Sequence, residues 1–149
     1  MQVGHICSTR TITCHPESTV LEAAELMRKH HVGNLVIVEE VGGVLMPMGI
    51  VTDRDIVVIV IAEGLDPKSI KAIDIMTSEL MTADEDEDVF ETVERMRFKG
   101  VRRIPIVNKN GGLVGIVSVD DIWKFVTKEM TGLADVTTRQ QTREKKARK

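Results

Sequence analysis

The chain has 149 residues, a formal net charge of −3, 42% hydrophobic residues and few aromatics: three Phe, one Trp and no Tyr. That length suits one compact domain or two intimately packed halves, and so few aromatics argue against holding single-stranded nucleic acid by stacking. The longest apolar run, residues 56–62, is too short to cross a bilayer, and no signal-peptide pattern opens the chain. A soluble cytoplasmic protein with no membrane partner is the expectation.

In chain order, Cys7 and Cys14 come first, near His5 and His15. The paired short spacings of zinc sites are missing, so two free thiols and no metal are expected. A short strand is expected around Ile12-Thr13. Thr19-Val20-Leu21-Glu22 is a capping box that opens a helix, with Val20, Leu21, Ala24 and Met27 on its inner face. His30-His31 should cap the last carbonyls of that helix. A strand at Leu35–Val38, a Gly42-Gly43 turn and a second strand form a hairpin signal. Residues 49–56, Gly-Ile-Val-Thr-Asp-Arg-Asp-Ile, end this strand and begin a helix from Asp53 to about Ala62.

The second half repeats this order. Shifted by 69 positions, Val20, Glu22, Glu25, Met27, Arg28, Val32, Ile37 and Val38 fall on identical residues at 89, 91, 94, 96, 97, 101, 106 and 107. Past Val38 the first copy has three extra residues around Leu45-Met46-Pro47. The shift then becomes 66, placing Gly49 on Gly115 and Asp55 on Asp121. The second copy reads as a strand near Met81-Thr82, a helix opened by Asp88 with Val89, Phe90, Val93 and Met96 inward, and a strand at Ile104–Val107. A Gly111-Gly112 turn, a further strand and a helix from Val119 to about Met130 complete it. The acidic run at residues 84–88 precedes a helix, where the dipole favours negative charge. The expected fold is α/β (α+β): two β-α-β-β-α repeats, residues 1–66 and 67–131, packed about an approximate two-fold axis with paired clefts between them.

Trp123, with Ile122, Phe125 and Val126, makes an apolar patch wider than one core stripe needs. Residues 133–149 hold six Lys/Arg against two Asp/Glu, whereas the rest of the chain holds 14 basic against 21 acidic residues. The segment 132–149 is therefore expected to be a basic, flexible, solvated tail.

The octapeptides at 49–56 and 115–122 place a hydroxyl and a carboxylate at one spacing, Thr52 with Asp55 and Ser118 with Asp121. Capping boxes alone would account for both pairs. A binding site uses the same geometry: free N–H groups at a helix start suit phosphate, and a carboxylate one turn on can accept a ribose diol. The glycine ahead would let a ligand approach the backbone. Repetition of all three residues tilts the balance towards binding.

These motifs, with Ile75-Met76-Thr77 and the segment 101–107, Val-Arg-Arg-Ile-Pro-Ile-Val, resemble a tandem CBS-domain pair (Bateman module) over residues 3 to about 130. The resemblance implies a non-catalytic regulatory module that senses adenine nucleotides (AMP, ADP or ATP) or a related adenosyl ligand, and with it cellular energy. It also implies a homodimer through the CBS helices and signalling to a separate effector protein. Carried over, one site would use Asp55 for the ribose and Thr52 for phosphate or sugar. Thr77, Met81 and Ile104 would line the base pocket, and Arg102 and Arg103 would reach phosphate. The other would use Asp121 and Ser118, with Ser8, Ile12, Gly33, Asn34 and Leu35 as walls. The second lacks arginines, and guanidiniums give charge-assisted, often bidentate bonds to phosphate. The first site is therefore expected to bind more tightly.

Two other functions fit the residues less well: a scaffold whose sites have decayed, and a nucleic-acid-linked regulator acting through residues 139–149. No nucleophile–base constellation and no Gly-x-x-x-x-Gly-Lys loop points to an enzyme.

Overall fold

A computed structural model describes residues 1–77 and 79–148. Lys149, the last residue of the basic segment, lies outside the described residues. Two three-stranded sheets carry the fold, in the orders β1-β2-β3 and β4-β5-β6. The first repeat comprises β1 (Thr13–Cys14), α1 (Val20–His30), β2 (Asn34–Val41), β3 (Val44–Thr52) and α2 (Asp53–Asp55). After a short α3 (Ala72–Ile75), the second runs β4 (Ala83–Asp84), α4 (Val89–Lys99), β5 (Arg103–Val107), β6 (Leu113–Ser118) and α5 (Val119–Ala147). In each sheet the first pair is parallel and the second antiparallel, with one register shift after Ile37 and after Ile106. The mixed α/β expectation and the repeated order are both met, with the short first strands one or two positions later than expected.

Local chemistry sets the boundaries. Thr19 and Glu22 form the reciprocal capping box, and the hairpin after β2 turns through Gly42 and Gly43, both at positive φ. α1 ends on His31 in the left-handed conformation, so the main chain rather than the imidazole caps it. Gly100 takes that place in α4, where the missing Cβ makes positive φ easy. Helix faces differ in detail from the periodicity reading. Val20, Ala23 and Met27 are buried on α1, and Val89, Thr92 and Met96 on α4, whereas Phe90 is 62% exposed. Thr92 replaces Phe90 inside because its Oγ1 lies 2.9 Å from Glu87 Oε1 and 3.0 Å from Asp88 O.

The helix after Thr52 widens into a π-helical stretch at Ile56–Ile61, with Ala62 N–H donating to Val57 O and Leu65 N–H to Val60 O. Six consecutive β-branched residues crowd the preceding turn of a regular α-helix, which accounts for the wider winding. The C-terminal segment departs further from expectation. Instead of fraying, it continues α5 as one 29-residue helix. Residues 133–147 contain neither Gly nor Pro, and basic residues in the last turn suit the helix dipole.

Each repeat has its own core. One gathers Val20, Met27, Leu35, Ile37, Val51, Val60, Ala72 and Ile75; the other gathers Val3, Val89, Met96, Ile104, Ile106 and Val117. The opening segments are thus exchanged: residues near Val3 pack into the second core, and Ala72 and Ile75 into the first. Main-chain bonds mark each crossing. Ser8 N–H donates to Ile116 O at 2.8 Å, and Thr77 N–H to Ile50 O at 3.1 Å. The opposite sheet faces meet through Val36, Val38, Ile50 and Ile116.

Candidate functional site

Strand alternation decides which side chains reach the space between the sheets. Leu35, Ile37 and Val51 enter the first core, so Asn34, Val36, Ile50 and Thr52 take the other face. Likewise Ile104 and Val117 enter the second core, leaving Arg103 and Ser118 on the inter-sheet side. Both hydroxyls therefore stand on the face where the repeats meet.

A cleft of about 160 Å³ joins Thr52 from the first repeat to Thr77, Met81, Arg102 and Arg103 from the segment opening the second and from the second repeat itself. Ile50, Glu79, Leu80 and Val101 complete its lining. Sequence reasoning missed those four. The signal was nearness in sequence: Glu79 and Leu80 lie between Thr77 and Met81, Ile50 is two positions from Thr52, and Val101 precedes Arg102.

Three expected residues sit elsewhere. Ile104 and Leu35 are fully buried, their side chains in the two cores, because both lie one position out of phase with the cleft-facing residues. Asp55 is not in the lining of the 160 Å³ cleft; its Oδ2 accepts the Thr52 N–H at 2.9 Å while Thr52 Oγ1 accepts the Asp55 N–H at 3.1 Å. The capping box is thus real, and it engages one carboxylate oxygen, Oδ2.

The second set is less well assembled. Ser8 bonds Ile116 through the main chain, Ile12 O accepts from Val36 N–H, and Gly33 O accepts from Asp53 N–H. Asn34 stands opposite Thr52, and none of Ser8, Ile12, Gly33 and Asn34 lines the 160 Å³ cleft. Asp121 faces a different hollow of about 310 Å³ with His5, Lys124 and Lys128. Its Oδ2 accepts both the Ser118 N–H at 2.9 Å and the Ser118 hydroxyl at 2.7 Å. The Ser118 proton is therefore committed within its own box, whereas the Thr52 hydroxyl is recorded only as an acceptor. One expectation needs correcting: Ser118 does have an arginine neighbour, since Arg103 is its cross-strand partner.

The two motif glycines serve the fold, not the approach of a ligand. A Cβ at Gly49 would fall 2.7 Å from Met76 Sδ and 2.9 Å from Thr77 O. One at Gly115 would fall 2.5 Å from Ser8 O and 2.9 Å from Cys7 Sγ. Both make room for the crossing segments. Cys7 and Cys14 are free, and burial pushes both thiols up from their usual range. Among the described residues no group of three His, Cys, Asp or Glu side chains could hold a metal, and no helix is long and apolar enough to cross a membrane.

A family model for the CBS domain matches residues 3–62 and 72–122. An uncharacterized protein of Methanopyrus kandleri is 43% identical over 122 residues, which are 82% of this chain and 61% of that relative's own length. A CBS domain pair solved with 5′-methylthioadenosine and S-adenosyl-L-methionine superposes with a TM-score of 0.72 at 32% identity, covering 87% of this chain and 98% of that one. A CBS domain protein from Pyrobaculum aerophilum complexed with AMP gives a TM-score of 0.72 at 28% identity, covering 81% and 89%. With a family model matched to both repeats, this chain belongs to the CBS-domain family, as a tandem pair.

Proposed function

We propose that the chain is a regulatory module that binds an adenosine-containing ligand, an adenine nucleotide (AMP, ADP or ATP) by preference, between its repeats and passes the occupancy on to a separate effector protein. The observation that carries this reading is the cleft in which Thr52 of one repeat meets Arg102 and Arg103 of the other. A hydroxyl and two guanidiniums converging from two bodies can bind phosphate and pull those bodies together. Ligand shifts their packing only by its differential affinity for the two arrangements. The structures solved with AMP and with S-adenosyl-L-methionine support the adenosyl class. Asp55 holds Thr52 in place and offers its other carboxylate oxygen to a ribose; Asp121 does the same beside Ser118 for a weaker second site.

Calorimetric titration of AMP and ATP into wild type, Asp55→Ala and Asp121→Ala tests the reading. A larger loss from Asp55→Ala is expected; equal losses would remove the inequality of the sites, and a wild type that binds neither nucleotide would remove the function.

The exposed helices support a second proposal, a homodimer. Trp123, 66% exposed, lines an apolar groove of about 500 Å³ with Val93, Met96, Ile122 and Val126. Its counterpart after Thr52, Val57, is also exposed, as is Ile61 one turn on. A second copy covering both would bury them together. A dimer mass by light scattering, lost in Trp123→Lys, is expected; a monomeric mass for wild type at tens of micromolar would refute it.

A further inference from the structure

The 160 Å³ cleft is smaller than the roughly 300–1,000 Å³ of ordinary small-molecule sites, so it holds only part of a nucleotide. Thr77, Glu79, Leu80, Met81 and Val101 line both this cleft and an adjoining groove of about 910 Å³. The chemistry is sorted along this path. Of these two hollows only the small cleft includes Thr52, Arg102 and Arg103, whereas the shared wall of Leu80, Met81 and Val101 is apolar and leads towards Phe98 and Lys99.

Phe98 is 86% exposed on α4, away from the buried face of Val89, Thr92 and Met96. The core does not require an aromatic there, since the matching position of the first repeat is Lys29. The groove wall beside it is fixed: Arg95 pairs with Glu87 and donates from Nη2 to Thr82 O at 2.8 Å. The groove thus carries one exposed aromatic, at the end of a path that begins at two arginines.

We infer that Phe98 is the platform on which the nucleotide base stacks. The inference rests on the nucleotide reading above and gives it a direction. Phosphate lies at Arg102 and Arg103, sugar beside Thr52 and Thr77, and the ring passes over Met81 into the larger groove. The ligand is then a purine nucleotide whose far ring edge stays open to water, so additions at that edge are tolerated. The first repeat offers Lys29 in place of this platform, a second reason for the two sites to differ.

The test uses AMP and its fluorescent analogue 1,N6-etheno-AMP with the full chain. Wild type is expected to bind both and to quench the etheno fluorescence, as stacking does. Phe98→Ala should weaken AMP about tenfold and abolish the quench, while Phe98→Tyr retains both. The ligand-free thermal midpoint of Phe98→Ala should match wild type, because the side chain is exposed. Arg103→Ala should weaken binding yet keep the full quench at saturation. Wild-type affinity and quench in Phe98→Ala would overturn this inference alone. A wild type that binds neither probe would overturn the nucleotide reading and this inference with it.

Discussion

Thr77 donates its main-chain N–H to the carbonyl of Ile50 at 3.1 Å, and this bond sets the segment that opens the second repeat against the last strand of the first. Thr52, two positions along β3, thereby comes into one cleft with Thr77 and with Met81 four positions further on. Gly49 permits the approach.

Replacing that glycine tests the crossing. Gly49→Ala and Gly115→Ala each place a methyl under 3.0 Å from main-chain oxygen. Each is expected to lower stability by about 2–3 kcal/mol, read as a lower urea midpoint. Gly132→Ala is the control of opposite sign. Gly132 lies inside α5 with nothing near its would-be Cβ, so a gain of up to about 1 kcal/mol is expected.

The buried opening residue gives a second prediction. Val3 is fully buried in the second core, 86 positions before Val89 in sequence. Val3→Ala should destabilise by about 1–3 kcal/mol through the cavity it leaves. Amide exchange should quicken at Ser8 and Ile116 before the rest of the core, because their paired bonds hold the arm down.

Arginine removal separates phosphate from base recognition. Arg103→Ala should weaken ATP by roughly 10- to 100-fold, the loss expected for a hydrogen bond to a charged group. Adenosine, which has no phosphate, should be much less affected. Calorimetry with both ligands checks this; equal losses would place Arg103 outside the phosphate contact.

The thiols give a pH prediction. Burial, then for Cys14 the nearby Glu22, holds the folded thiol above its usual value, against a hydrogen bond from Ser18 that lowers it. The folded state therefore keeps its proton longer than the unfolded chain. This contribution is fully present below the unfolded thiol pKa and is lost as pH rises through the folded one. Urea midpoints of wild type should fall more steeply above the usual thiol range than those of Cys14→Ala. Iodoacetamide should modify native Cys14 far more slowly than a free thiol.

Much of this was legible in the chain. Equal spacing of Gly49, Thr52 and Asp55 with Gly115, Ser118 and Asp121 gave the repeat, the strand–helix junctions and the capping boxes, because those depend on neighbours within one turn. Thr77, Met81, Arg102 and Arg103 also met in one cleft as expected. Ile104, expected with them, and Leu35, expected as a wall of the other site, both lie in the cores, since strand phase decides between core and cleft and a shift of one position reverses the answer. The purpose of the glycines was hidden for a different reason: Met76 and Ser8 approach them from distant parts of the chain. Continuation of α5 past Met130 runs through Gly132, a residue that ordinarily marks a helix end, and the polar, charged composition beyond it was a further misleading cue.

The exchange of opening segments means that the unit repeated in sequence and the unit that folds in space are offset by one short arm. A chain half as long, with one arm and one repeat, would have no groove of its own for that arm. Two such chains could close only by trading arms about a two-fold axis, rebuilding the arrangement found here. Joining the halves in one polypeptide makes that trade independent of concentration. It also frees the two grooves to diverge, which is how Arg103 can stand in one repeat where Asn34 stands in the other.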